Sequence, residues 1–259
     1  MSYPRTSSGR ILAARRSPVA APVPRGVGLH FAGASAPAGA TIDLTQGLGG
    51  IVRDQADLEK CVGRALASGC WVLNRGAGDM PSDSAIWTLA RVHERARADV
   101  PLTNVGVNPA DAVGGIMQWG ILSERSPAIP AGANDELTYE ERRELAGAPL
   151  PDDGIVTIVP DQIDASLAAG CPVAYGQEVM PSYDGYDGSG IYTTGVGEKS
   201  QGSHEQLIVG AGPGYYLVLN SWGAAWGRGG FAMIDRSFFW GADAWELLSI
   251  RKAPVVRYP

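Results

Sequence analysis

The chain has 259 residues, of which 45% are hydrophobic and 19% are charged, a balance typical of a folded globular protein rather than a disordered one. No run of about 18 apolar residues occurs, which argues against a membrane-spanning helix. The net charge of −6 hides an asymmetry, because residues 1–42 hold five arginines and no acid while the remainder has 16 bases against 27 acids. An acidic body without interleaved basic and aromatic residues does not favour nucleic-acid binding.

Residues 1–40 are predicted to form an extended basic arm, because proline, alanine, serine and glycine dominate them and no hydrophobic period is sustained. Three interpretations stay open: a solvated tail, a segment folded against the acidic body, or a docking element for a partner in a larger assembly such as a phage particle. The arm has no apolar core of secretory type, and three cysteines are too few for a disulfide framework. We therefore expect a cytoplasmic or other reducing compartment, including association with a virion.

Helices are predicted to dominate the first half of the body, which begins near Ile42. The run CVGRALASGCWVL at 61–73 is typical of a buried helix. A second helix is expected over 85–96, with a cap at Ser82 or Ser84. A third, IMQWGIL, follows the glycine pair at 114–115, and the charged stretch at 134–147 is interpreted as a surface excursion between two lobes.

Strands are predicted to dominate the second half. Candidate strands cover 155–159, 172–179, 204–212, 215–220 and 230–234, with a short amphipathic helix at 161–170. Helices followed by antiparallel strands predict an α+β protein with a helical N-terminal lobe and a barrel-like antiparallel C-terminal lobe. The predicted divisions are the arm at 1–40, one folded domain at 41–252 and a tail at 253–259.

The cysteines and histidines are the candidates for nucleophilic chemistry. Cys61 opens a helix, where the positive end of the helix dipole favours the thiolate, whereas Cys70 and Cys171 are interpreted as structural. His204 begins one apolar strand and Asn220 ends the next, so a hairpin brings a base and an orienting amide side by side. The amide then accepts from one imidazole nitrogen and leaves the other for the thiol.

These residues resemble those of the papain-like cysteine peptidases, the C1-type family. NSWGAAWGRGGF at 220–231 is similar to the family signature Asn-Ser-Trp-Gly-x-x-Trp-Gly-x-x-Gly-aromatic. Gln55, six residues before Cys61, resembles the family's oxyanion-hole glutamine, and SHEQLIVGAG resembles the segment that carries the catalytic histidine. The resemblance covers about residues 43–250 and, with DQIDASLAAGCPVAYGQEV at 161–179, is to a bacterial or phage-like branch without the usual helical propeptide. Activity is then expected to be controlled by other means or by the arm masking the cleft.

The resemblance implies the papain-like two-lobe fold, with the active site between the lobes, and a cysteine-type peptidase. Cys61 is then expected to attack the peptide carbonyl and form a thioester, with His204 as general base and then acid. Asn220 is expected to orient His204, and Gln55 to donate to the oxyanion.

The residues expected to contact the substrate match the family pattern less closely than the catalytic residues do. Gly114 and Gly115 stand where the family has a glycine pair that binds the substrate backbone, and Trp222 is expected to cover the histidine–asparagine hydrogen bond. Where the family has small residues before the nucleophile, this chain has Glu59 and Lys60, which narrow or charge the site. The loop PSYDGYDGSG at 181–190 carries acids and tyrosines that favour basic or polar substrate side chains.

Two other functions remain open at this stage. One is a catalytically silent papain-fold protein that serves as a structural or binding component of an assembly, with the arm either as its tether or as a mask over the cleft. The other is a cysteine-dependent acyl transferase. No cofactor or metal is expected, because the histidines are scattered and no Cys-x-x-Cys occurs. The expected partner is a peptide or protein substrate.

Overall fold

The computed structural model describes residues 5–10, 12, 14, 41–95, 106–126, 148–193, 195 and 197–257. Most of the arm and the predicted excursion at 134–147 lie outside the described residues. Within the described ranges, no helix is long and apolar enough to cross a membrane.

Three helices form the N-terminal lobe: α1 (Cys61–Leu73), α2 (Asp83–Arg95) and α3 (Pro109–Trp119). The bounds of α1 are those predicted from the apolar run. The start of α2 follows from a predicted cap, because the Ser82 hydroxyl accepts a hydrogen bond from the Ala85 N–H at 3.2 Å.

Helix α3 begins earlier than predicted. The Asn108 side chain accepts from the Ala110 N–H at 2.8 Å, and Pro109 occupies the first helical turn, where its missing N–H costs nothing. The helix ends at Trp119 because Gly120 adopts a φ of +82°. The expected boundary at the glycine pair was therefore wrong, since the cap lies several residues upstream.

The glycine pair consequently lies inside α3 and packs against α2. A Cβ on Gly115 would lie 2.8 Å from the Leu89 carbonyl, and one on Gly114 would lie 2.5 Å from the His93 ring. These glycines let two helices approach closely, and this position does not support the predicted contact with a substrate backbone.

The second half forms one antiparallel sheet in the order β2-β7-β3-β4-β5-β6, with β1 pairing to β4. The strands are β1 (Ile42–Asp43), β2 (Ile155–Thr157), β3 (Val173–Glu178), β4 (Ser203–Gly212), β5 (Tyr215–Leu219), β6 (Phe231–Asp235) and β7 (Ala244–Ile250). The short helices are α4 (Ile163–Ala168), α5 (Pro181–Asp184) and two 3-10 turns, Pro160–Gln162 and Arg236–Trp240. The predicted α+β class is confirmed.

Helix α1 is the element that joins the two halves. It packs against α2 and α3 on one side and against β3, β4 and β7 on the other. Gly69 allows the close approach, because a Cβ there would collide with the side chain of Ile250. The N-terminus of α1 is thereby held beside the sheet at the point where β4 begins and β5 ends.

Candidate active site

Helix α1, which begins at Cys61, packs against β4, the strand that carries His204. A small cavity lies between α1 and the ends of β4 and β5. It is lined by Arg64, Ala65, Ser68, Glu205, Gln206, Leu207, Leu219, Asn220 and Ser221. Cys61 lies one helical turn before Arg64, and His204 immediately precedes Glu205. Both side chains are fully buried.

The imidazole of His204 is oriented by Asn220. His204 Nε2 lies 2.8 Å from Asn220 Oδ1, and the same oxygen accepts from the Ser221 N–H at 2.7 Å. Since a backbone N–H can only donate, it identifies the Asn220 atom facing His204 as the carbonyl oxygen. His204 Nε2 must therefore carry a proton, which leaves Nδ1 as the basic nitrogen. Nδ1 is buried and has no hydrogen-bond partner among the described residues.

Trp222 stacks on the imidazole and excludes water from it. The two ring centroids are 4.6 Å apart with an interplanar angle of 21°, and Trp222 is 5% exposed. Burial lowers the pKa of His204 to about 4, although the Asn220 hydrogen bond acts in the opposite direction. In this state the imidazole is neutral at pH 7.

Gln55 is held in place by the segment that follows Asn220. The Ser221 hydroxyl donates to Gln55 Oε1 at 2.5 Å, and the Gln55 N–H donates to the Ser221 carbonyl at 2.9 Å. Its amide nitrogen donates one hydrogen to the Leu58 carbonyl at 3.2 Å. These contacts orient the amide so that its nitrogen lies on the side of the 58–61 segment that leads into α1.

The charged residues around Cys61 form their own network. Lys60 Nζ lies 3.1 Å from Asp83 Oδ2, and an Arg64 guanidinium nitrogen lies 2.5 Å from the same oxygen. The positive charge of Lys60, which the sequence places beside the nucleophile, is therefore paired with the Asp83 carboxylate at the start of α2. Glu59 is also buried, at 4% exposure.

Cys70 and Cys171 are buried, and the Cys171 thiol donates to the Ala169 carbonyl at 3.7 Å. Burial raises the pKa of Cys70 to about 12 and also raises that of Cys171. Neither environment favours a thiolate. No group of three metal-ligating side chains was found among the described residues.

The N-terminal arm crosses the site. The Ala14 N–H donates to the carbonyl of Ser203, the residue before His204, at 3.2 Å, and Ala14 forms a parallel bridge with Val107. Leu12 is 1% exposed. The Arg10 guanidinium lies 5.1 Å from the centroid of the Trp222 ring. The described arm residues therefore extend from Trp222 to the groove between Ser203 and Val107.

Asp184, at the end of α5, anchors the arm. Its carboxylate accepts from the Ser7 hydroxyl at 2.9 Å, the Ser8 N–H at 2.9 Å, and the Ser8 hydroxyl and Arg10 Nη1 at 2.5 Å each. The Asp184 side chain is 2% exposed. Burial opposes its ionisation, but the donors on Ser8 and Arg10 outweigh this effect and keep the pKa of Asp184 below its usual value. The sequence marked the 181–190 loop, but not this residue or its partner.

Comparison with known proteins agrees with this geometry. Residues 120–242 match the family model described as papain family cysteine protease. Cysteine proteinase 15A of Pisum sativum is 29% identical over 130 residues, which is 45% of this chain and 34% of the pea protein. The probable cysteine protease RDL3 of Arabidopsis thaliana is 42% identical over 55 residues, 19% of this chain and 14% of the relative. The chain thus spans well under two thirds of either relative.

Solved structures show the fold. Xylellain, a cysteine protease from Xylella fastidiosa, superposes with a TM-score of 0.73 at 18% identity, covering 98% of this chain and 99% of xylellain. The Carica candamarcensis cysteine protease CMS1MS2, solved in complex with E-64, gives 0.56 at 21% identity, covering 77% and 89%. The two-lobe papain-like fold predicted from the sequence is confirmed.

Proposed function

We propose that this chain, a member of the papain family of cysteine proteases, hydrolyses peptide bonds through a thioester on Cys61. The observation that carries the proposal is the orientation of His204. Asn220 Oδ1 holds Nε2 at 2.8 Å, and the Ser221 N–H fixes the amide, which leaves Nδ1 as the basic nitrogen. A neutral, oriented imidazole and a thiol at a helix N-terminus are the two groups that nucleophilic catalysis needs.

Acylation begins with a proton transfer. His204 Nδ1 takes the Cys61 proton, and the thiolate attacks the carbonyl carbon of the scissile bond. Negative charge develops on the carbonyl oxygen. We assign its stabilisation to the Gln55 side-chain amide and to the backbone N–H of Cys61, the first residue of α1. The imidazolium then gives its proton to the leaving nitrogen, the C–N bond breaks, and a thioester remains.

Deacylation reverses these roles. His204 takes a proton from water, and the hydroxide attacks the thioester carbonyl. The C–S bond breaks, the carboxylic acid product leaves, and the proton returns to the Cys61 sulfur. Asn220 supports both steps, because Oδ1 accepts from Nε2–H throughout and stabilises the imidazolium.

We infer that the arm holds this site in a resting state. Arg10 covers Trp222, and Ala14 occupies the groove beside Ser203. With burial lowering the pKa of His204 to about 4, the imidazole is neutral under the arm. Removal of the arm admits water and substrate, and hydration then favours the charged thiolate–imidazolium pair.

A thiol-directed peptidase probe tests the proposal. The full chain and its Arg10→Ala variant are incubated with an epoxysuccinyl peptide and analysed by intact mass and peptide mapping. We expect one modification at Cys61, faster in Arg10→Ala, absent in Cys61→Ala and at least about a hundredfold slower in His204→Ala. Cys171→Ala is the matched control and labels like the parent chain.

The outcome separates three functions. If Arg10→Ala and the parent chain both fail to label at Cys61, the peptidase proposal is wrong and a silent binding protein is favoured. If Cys61 labels, a peptide ester is turned over with and without an added amine such as glycine amide. Product that is mainly the new amide identifies an acyl transferase, and product that is mainly the acid supports hydrolysis.

A further inference from the structure

The site that holds Arg10 lies on the leaving-group side of the cleft. His204 must hand its proton to the leaving amine, so substrate residues after the scissile bond extend from Cys61 over His204. Trp222 is stacked on His204 with 4.6 Å between ring centroids, and so it forms the floor of that side. Arg10 lies against Trp222, and Asp184 binds Arg10.

Among the described residues, the hydrogen bonds to the Asp184 carboxylate come from the arm. The donors belong to Ser7, Ser8 and Arg10, at 2.5–2.9 Å. When the arm leaves, the carboxylate at the end of α5 loses these donors. A cationic group restores the charge-assisted hydrogen bonds that the carboxylate has lost. The open site therefore demands a positively charged group.

The shape of the site suits a basic side chain that arrives from solvent. Arg10 Nη1 reaches both the Asp184 carbonyl, at 2.7 Å, and its carboxylate, while its planar group lies over the Trp222 ring. Paired charge-assisted hydrogen bonds and an aromatic face are the usual means of holding guanidinium. The Arg10 side chain remains 28% exposed, so the site opens to solvent.

We propose that Asp184 and Trp222 form a specificity subsite for an arginine or lysine on the C-terminal side of the scissile bond, a subsite that Arg10 occupies in the closed chain. The proposal rests on the peptidase function given above. It assigns Arg10 a second role besides anchoring the arm, which is to stand in for the substrate's own basic residue.

Paired fluorogenic peptides test the charge preference. Each pair differs only by arginine or the neutral isostere citrulline at the first or second position after the cleaved bond. The enzyme is the full chain with Arg10→Ala, which removes the guanidinium from the subsite. We expect kcat/KM to favour arginine by about tenfold to a hundredfold, as charged hydrogen bonds allow. Adding Asp184→Asn removes the preference, so that the ratio of kcat/KM for the arginine and citrulline peptides falls to about one.

A matched control comes from the same loop. The Asp187 carboxylate accepts hydrogen bonds locally, from the Ser189 N–H and hydroxyl at 2.8 and 2.6 Å. Asp187→Asn in the Arg10→Ala background should keep the full preference for arginine. Equal loss in the Asp184 and Asp187 variants would mean a diffuse acidic field rather than a subsite, and would overturn the proposal.

A binding measurement separates failure of this proposal from failure of the peptidase function. Cys61→Ala/Arg10→Ala is titrated with the same peptides and followed by tryptophan fluorescence or calorimetry. Tighter binding of the arginine peptide, lost on Asp184→Asn, supports the subsite even if no peptide is cleaved. Equal affinity for arginine and citrulline peptides overturns the subsite even if Cys61 proves to be an active nucleophile.

Discussion

Asp83 and Asp184 are buried alike, each at 3% exposure, but their partners come from different parts of the chain. Asp83 binds Lys60 and Arg64, which flank the nucleophile on α1. Asp184 binds Arg10 and the serines of the arm. In both, the partners outweigh the effect of burial and keep the carboxyl pKa below its usual value.

The two carboxylates differ in which parts of the chain their ion pairs hold together. The Asp83 cluster ties two helices of the body together and so fixes the position of Cys61. The Asp184 cluster joins the body to the arm, which carries no catalytic candidate, so this ion pair can dissociate while the body stays folded.

Three substitutions and one change of pH test this difference between the two carboxylates.

Asp83→Ala should have the largest effect, a loss of about 3–5 kcal/mol in the free energy of unfolding, because it leaves Lys60 and Arg64 buried without their carboxylate. Urea unfolding followed by circular dichroism measures it. Asp79→Ala is the control, since its partner Arg125 is 68% exposed at the side chain and the pair is expected to contribute little. A loss below about 1 kcal/mol for Asp83→Ala would contradict a structural clamp.

Asp184→Asn should leave the body folded and release the arm instead. We expect Cys61 to label about tenfold to a hundredfold faster, because the amide cannot replace the charge-assisted hydrogen bonds from Arg10 and Ser8. Stopped-time mass spectrometry with the epoxysuccinyl probe gives the rate. If the rate stays at the parent value while the unfolding midpoint drops, Asp184 belongs with Asp83 as a clamp of the body.

Low pH should dissociate the arm from Asp184 in the parent chain. Because the closed state holds the pKa of Asp184 below its usual value of about 3.9, the arm contact is at full strength above that pH and weakens as pH falls through the lowered pKa. The Arg5–Asp57 pair is solvent-exposed and therefore contributes less. Tryptophan emission titrated from pH 6 to 3 should change in the parent chain, and the change should be absent in Asp184→Asn.

Gly9→Ala should have the smallest effect of the four. Gly9 closes the turn that presents Ser8 and Arg10, with a φ of +86°, and a Cβ there meets nothing within 4 Å. The substitution therefore adds only backbone strain of about 1 kcal/mol, which should raise the labelling rate about fivefold. Gly47→Ala is matched in φ, at +78°, and in open space, and should leave the rate unchanged.

The helices and strands that were predicted correctly are those with a clear local sequence pattern. The bounds of α1 followed from an uninterrupted apolar run. The start of α3 was missed because the cap at Asn108 and Pro109 was overlooked in favour of a glycine pair that serves helix packing. Strand β7 was not predicted, since a bulge opposite Ala174–Gly176 and a φ of +49° at Glu246 interrupt its alternation.

Some residues of the candidate site were likewise indicated by the sequence, and others were not. His204 lies near the start of β4 and Asn220 directly follows β5, so their spacing already implied their contact, whereas Gln55 was recognised by its resemblance to the family's oxyanion-hole glutamine. The arm's path was not recognisable. Its composition suited a solvated tail as well as a docked segment, and nothing in it marks Ser8 or Arg10 as partners of the body.

By itself, the sequence determined the fold class and suggested the four residues to which catalysis is assigned, because a helix start and a hairpin are local features and the motifs around them resemble those of a known family. Only the tertiary structure decided that Arg10 meets Asp184 across 174 residues, and that Lys60 turns to Asp83. Such contacts depend on how α1 packs between the lobes and on which carboxylates that packing buries, and no local pattern encodes burial by a distant segment.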